Sequence, residues 1–368
     1  MDSGPRKITI PIEVFIKRSW PFLAFVAVLA LGASGAFLWV AISGVGRKTA
    51  PVAIASPQSS AATSSQILAP RSIDGVLVPA AETNLLPFAV IIDNHADARP
   101  SVGLAKANLV FEFPVEGGMT RYLAIFDATT TVDQIGPVRS VRPYTIEIAH
   151  ALNAVTAHVG GSPEALAQIA LLAQFRDLNE FSNGKYYWRS GRRLPPHNIY
   201  TRTDLLHTAA QAKRWISKPL RGWKFTDEDP RDSATGTSRG HTHGPHVPVG
   251  GIIDARWTYH RDANAYERLL NGSPHVELDG NRVTAKNVLV LLTDAKIVDT
   301  EGRLKLRTTE KGRARLYRNG RVSDLVWRRP TGSFFEFETV DGSDALFVRG
   351  TTWVEIVTSK DLFDNLNG

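Results

Sequence analysis

Several short stretches of this chain gather side chains able to hold or activate a ligand. Asp93, Asn94 and His95 follow an apolar run, Glu112 and Glu116 stand at the end of a second, and Thr120 and Arg121 follow a Gly-Gly pair. The segment GPVRSVRP, residues 136–143, places Arg139 and Arg142 around Ser140, just ahead of Pro143, and His158 ends another apolar run. Proline suits the first turn of a helix, so residues 139–142 stand where unpaired backbone N–H groups gather. Guanidinium forks beside such a helix start fit a phosphate or a carboxylate. Glu112 and Glu116 offer general acid–base chemistry or a metal ligand. The competing reading is structural, with the acids and arginines paired to one another.

Other candidates carry a plainer alternative. His197 and Asn198 sit in a loop after Arg189, Arg192 and Arg193; His197 reads as a general base or as a histidine that only hydrogen-bonds its loop. His241, His243 and His246 lie close together but match no metal-ligand spacing, and their Gly- and Pro-rich surroundings read as a solvated linker. Arg303, Lys305 and Arg307, then Arg313 and Arg315, alternate along strand-like sequence. That pattern gives either a solvated sheet face or a basic surface for an anionic polymer. No nucleophile elbow, phosphate-binding loop or dinucleotide fingerprint is present. No metal and no cofactor are expected, and no residue is assigned as catalytic.

The elements that position these residues follow from periodicity and punctuation. Residues 88–92, 109–113 and 122–126 read as strands, the last two joined by a turn at Gly117-Gly118. A helix starts at Pro143 and runs to about residue 152, and 154–159 is a further strand. Ser162 caps a second helix with Pro163 at its first position, and 204–216 reads as a third. Alternating strands and helices make residues 85–225 an α/β layered domain. Residues 226–250 lack apolar periodicity and read as a linker. Residues 251–362 are rich in short strands, with hairpin turns at Asn271-Gly272, Asp279-Gly280, Asn319-Gly320 and Asp341-Gly342, so this domain should be mostly antiparallel β. The fold class is α+β.

The 368 residues suffice for two domains, and 43% hydrophobic with 21% charged residues is an ordinary globular composition. The absence of cysteine excludes disulfides, thiolate metal sites, a cysteine nucleophile and a lipidated cysteine. A net charge of +7 favours anionic partners. Residues 20–42 form 23 uncharged residues with Trp20 and Trp39 near the ends, long enough to span a bilayer core of about 30 Å. Arg6, Lys7, Lys17 and Arg18 precede the run, whereas only Arg47 and Lys48 follow it closely. Residues 1–19 are therefore expected to be a cytoplasmic tail, residues 20–42 a signal anchor, and the remainder to lie outside the cytoplasm. Cleavage near residues 33–36 is the alternative. Residues 43–84, rich in Ala, Ser, Pro and Thr, read as a flexible tether.

Long ordered motifs carry a resemblance. NHADARPSVGLAKANLVFEFPVEGGMTRYLAIF, IGPVRSVRP, HVGGS and PPHNIY resemble the first domain of YerB-like proteins. NGSPHVELDGNRVTAKNVLVL, KGRARLYRNGRVSDLVWRR and RGTTWVEIV resemble the second. The resemblance covers residues 87–357 and implies an α/β domain, a β-rich domain and an extracytoplasmic address. It brings no catalytic residues. Many members look like lipoproteins; this chain lacks the cysteine and carries the apolar run instead.

The expected function is a membrane-anchored binding or accessory protein of the cell envelope, with an anion pocket at Asp93, Glu116, Arg121, Arg139 and Arg142. The alternative is a hydrolase or transferase on a phosphate- or sugar-bearing envelope substrate. Partners would be the membrane, an anionic envelope polymer or envelope proteins, not nucleic acid.

Overall fold

The structure, a computed structural model, describes residues 67–227 and 243–366. The expected tail, the anchor at 20–42, the first part of the tether and His241 lie outside the described residues. Among the described residues, no helix is long and apolar enough to cross a membrane.

One ten-stranded sheet organises the chain. Its strands are β1 (Phe88–Asp93), β2 (Leu109–Pro114), β3 (Thr120–Phe126), β4 (Val155–His158) and β5 (Arg176–Asn179) from the first part. A five-stranded antiparallel sheet includes β6 (His243–Val249), β7 (Ile253–His260) and β8 (Ala265–Leu270). The main sheet then takes β9 (Asn287–Leu292), β10 (Glu310–Arg318), β11 (Arg321–Arg329), β12 (Glu336–Thr339) and β13 (Thr352–Val357). The order across it is β12-β11-β10-β9-β13-β2-β3-β1-β4-β5. The fold is α+β, as the strand and helix signals imply.

Strand alternation sorts the core. Phe88, Val90 and Ile92 project to one face, while Ala89 and Ile91 project to the other. The second face is covered by helix α1 (Pro143–Ala151) through Ile146, Ile148 and Ala149, and by α2 (Pro163–Leu171) through Ala165. The first is covered by α3 (Thr203–Ala212) through Leu206 and Ala209, and by the five-stranded sheet through Val247, Trp257 and Tyr266. Every residue of β1, β2 and β3 is therefore buried whichever way it points, which is why these strands read as near-continuous apolar runs.

Three organisational expectations are revised. The sheet crosses the proposed boundary: β13 pairs in parallel with β2, with Thr352 opposite Leu109 and Glu355 opposite Glu112. Residues 85–225 and 251–362 thus both contribute strands to one sheet, and the described residues fall in one compact unit. The end of the expected linker is strand β6, paired with β7; its histidines and prolines hid the alternation. The end of the expected tether is folded as well. Leu68–Pro70 pairs with Leu77–Pro79, and buried Arg71 donates to Asp74 at 2.9 Å and to Asp127 at 3.1 Å.

Candidate functional site

Four of the candidate residues divide by strand parity. Asp93 and Arg121 are directly opposite in the β1–β3 ladder and share the α1 face. Glu112 and Thr120 point to the opposite face. The sequence places all of these beside one another, and the sheet separates them into two clusters.

The cluster on the α1 face is held by a chain of backbone pairings. Residues 136–141 run along the end of β1, with Val138 bridged to Ile92, Asp93 N–H donating to the Pro137 carbonyl and Arg139 N–H to Ile91. Val138 N–H donates to Ile199, which brings the 194–200 loop against the same strand end. Asp93 is buried and takes two side-chain partners: Arg139 Nε lies 3.1 Å and His197 Nδ1 2.7 Å from Oδ2. The His95 amide donates to Oδ1 at 3.2 Å. Set against the Asp93 carboxylate, the His197 ring matches the tautomer that donates Nδ1–H and leaves the lone pair on Nε2. The His95 and His197 rings stack with centroids 4.7 Å apart.

Glu116, on the Gly-Gly turn, accepts a forked hydrogen bond from Arg142 and lies 3.8 Å from Arg121. Burial works against its charge, but the Arg142 hydrogen bond and charge override it and hold the Glu116 carboxyl below its ordinary value. Arg142 is the N-cap residue of α1, and its backbone N–H donates to Thr145 Oγ1 at 3.0 Å. Arg121 is wholly buried and donates Nη1–H to the Ser140 carbonyl at 3.0 Å. Burial first, then the neighbouring Arg142 charge, push Arg121 down to about 10, so it is still charged at neutral pH. Its Nε–H has no hydrogen-bond partner among the described residues. Arg142 also lines an open groove of about 250 Å³ with Pro143, Ser162 and Arg303, where the N-termini of α1 and α2 come together.

The second cluster binds the five-stranded sheet to the main sheet. Thr120 Oγ1 donates to Glu112 at 2.6 Å, and Asn94 donates to Thr120 at 2.7 Å. Arg268 of β8, fully buried, donates to Glu112 at 2.7 Å and to His275 Nδ1 at 3.0 Å. It also lies over the Trp353 ring at 5.1 Å. Glu355 accepts from Trp257 Nε1 at 2.9 Å and stands directly opposite Glu112 in the β13–β2 ladder. Burial, then the Glu112 charge, push the Glu355 carboxyl up to about 8. Burial and the Arg268 charge hold His275 well below its ordinary value, which fits its role as acceptor. Asn94, Glu112 and Thr120 therefore belong to an interior network.

The remaining candidates stand elsewhere. Ser140 Oγ donates to the Val159 carbonyl at 2.9 Å and is turned away from Asp93. His158 is buried between Asp177, at 2.6 Å, and the Gly160 carbonyl, at 2.8 Å. Asn198 is buried, and its carbonyl accepts from the Ser190 amide. His246 pairs with Asp254. Arg303, Arg307, Arg313 and Arg315 each pair with a carboxylate, so the arginines of the expected basic stripe are largely neutralised.

Arg268, His275, Glu355 and Trp257 were not singled out by sequence. The usable signal was a charge at an inward position of an apolar strand: Arg268 between Tyr266 and Leu270, and Glu355 within TWVEIV. Asp97, beside His95, was also passed over.

Comparison with known proteins agrees with this architecture. Residues 75–216 match the N-terminal domain, and residues 247–354 the C-terminal domain, of a family described as protein of unknown function DUF3048. A Bacillus subtilis (strain 168) protein described as "Putative lipoprotein YerB" is 29% identical over 282 residues, covering 76% of this chain and 83% of its own length. The crystal structure of YerB protein from Bacillus subtilis superposes with a TM-score of 0.68 at 27% identity, over 79% of this chain and 97% of that one. On its two domain matches and this shared fold, the chain belongs to the YerB-like, DUF3048 family.

Proposed function

We propose that this protein is a membrane-anchored, extracytoplasmic binding or accessory protein of the cell envelope, and that its α1-face cluster takes an anionic group of an envelope polymer. One observation carries the reading: three guanidiniums, Arg121, Arg139 and Arg142, face only two carboxylates, Asp93 and Glu116. The surplus falls on buried Arg121, whose charge is opposed by its surroundings. An anion entering beside two helix N-termini would relieve that opposition. The name of the Bacillus subtilis relative as a lipoprotein supports the membrane address, as does the apolar run at residues 20–42.

The test is titration of the full chain with inorganic phosphate and with a phosphodiester polymer. Arg139→Ala should weaken binding at least about tenfold, a loss of roughly 1.4 kcal/mol. It should lower stability by less than the 3–5 kcal/mol expected when a buried ion pair is broken outright, because Asp93 keeps His197 and the His95 amide. A full loss of that size, with neither anion bound by the unaltered protein, would leave the cluster as architecture.

A second reading, an envelope hydrolase or transferase, rests on the Asp93–His197 pair. A buried carboxylate that fixes a histidine tautomer and presents Nε2 is the arrangement of an oriented general base.

A further inference from the structure

We propose that His95, Asp97 and His197 form a binding site for a divalent transition-metal ion of the zinc class, with Asp93 as the outer carboxylate that orients His197. One ring nitrogen of each histidine and a carboxylate oxygen of Asp97 lie within 4.8 Å of one another. His95 Nδ1 and Asp97 Oδ2 are 3.5 Å apart. Two ligands on one tetrahedral ion, each about 2.0–2.1 Å from it, stand roughly 3.3 Å apart, so that pair is nearly at bonding separation.

The independent support comes from beneath the cluster. Metal-bound histidines almost always donate their second ring N–H to a carboxylate or carbonyl, which fixes ring and tautomer. His197 has that partner already in buried Asp93, at 2.7 Å. Arg139 Nε lies 3.1 Å from the same Asp93 oxygen, and its Nη1 donates to the Pro196 carbonyl at 3.5 Å, so one side chain fixes both the carboxylate and the loop that carries His197. Arg193 ties the Asp97 turn down by donating to the Ala98 and Pro100 carbonyls.

The remaining motion is small and local. His95 is half-buried and Asp97 exposed, with side chains 36% and 75% accessible, and they need only rotate toward the fixed His197. His95 would give up its 3.2 Å capping bond from the Asp97 amide and turn Nδ1 to the ion. Two imidazoles and one carboxylate suit zinc and its neighbours better than calcium or magnesium, which prefer all-oxygen shells. Three protein ligands leave a position for water or for an anion. The inference does not depend on the anion reading, because it is tested with metal alone.

Zinc binding to the untagged full chain is measured by competition with a chromogenic chelator, and cobalt binding by its visible absorption. A single site is expected. His95→Ala, Asp97→Ala and His197→Ala should each remove it, while Asp93→Asn should weaken it about 10–100-fold. Replacing His241, His243 and His246 together should leave it intact. If His197→Ala fails to fold by circular dichroism, the His95 and Asp97 variants decide. Absence of zinc binding by the unaltered protein, or binding indifferent to His95 and Asp97, overturns the proposal.

Discussion

Glu355 is a carboxyl whose charge the surrounding fold opposes, and the consequence is measurable. Its value rises from 4.5 to about 8 through burial and the adjacent Glu112, while Arg268 works the other way. An acid that holds its proton longer in the folded than in the unfolded state stabilises the fold fully below its unfolded value. That contribution is lost as pH climbs from about 4.5 through about 8. Urea unfolding across that interval should therefore show stability declining with pH. Glu355→Gln keeps a Trp257 acceptor and cannot ionise, so its profile should be flatter and its stability near pH 8 higher than that of the unaltered protein. Equal slopes for the two proteins would show that Glu355 does not titrate in this window. Arg268 explains why the network persists: its guanidinium is held above its ordinary range by Glu112, Tyr122 and Glu355 despite complete burial. Replacing it by methionine would strand Glu112 in the interior, a change that typically costs about 3–5 kcal/mol.

Among the elements, the strands at 88–92, 109–113 and 122–126 were readable from apolar runs to within two residues, and Pro143 and Ser162 marked their helices within a residue or two. Parity was the part left unread. Asp93 and Arg121 stand at odd positions and Glu112 and Thr120 at even ones, so neighbours in sequence face different layers. What no local pattern carries is partnership across distance. His197 meets Asp93 only because residues 136–141 bridge β1 to the 198–201 segment, and Arg268 meets Glu112 from another sheet. β6 was missed because a strand containing two prolines and paired on one side loses the usual signal. One turn-to-turn contact ties these elements together. Gly118, beside Glu116, and Gly250, at the β6–β7 turn, both take positive φ, and a Cβ on Gly250 would lie 2.3 Å from the Gly118 Cα. Gly250→Ala should therefore lower stability by about 2–4 kcal/mol through strain and overlap. It should also weaken whatever binding Arg139→Ala weakens, because the displaced turn carries Glu116 and so Arg142. An alanine variant with unchanged urea midpoint would mean that the two turns part freely.

At the scale of the molecule, the two sequence modules are interlocked through β13 and β2. A protease site introduced between residues 228 and 242 and then cleaved should leave two fragments that co-elute in size exclusion, since the sheet and the Arg268 network still join them. Either fragment expressed alone should be poorly soluble. Clean separation into two folded monomers after cleavage would show that the shared sheet is not needed for folding. The same pairing bears on how the chain is made. The partner of Glu112 is roughly 240 residues further along, so at synthesis rates of about 5–20 residues per second the β2 edge waits ten seconds or more for its neighbour. During that interval a run of six residues buried in the finished fold, LVFEFP, presents open backbone donors and acceptors of the kind that recruit other chains. Newly made protein is thus at its most vulnerable before its last strand arrives, and premature termination anywhere before residue 352 would leave that exposure permanent.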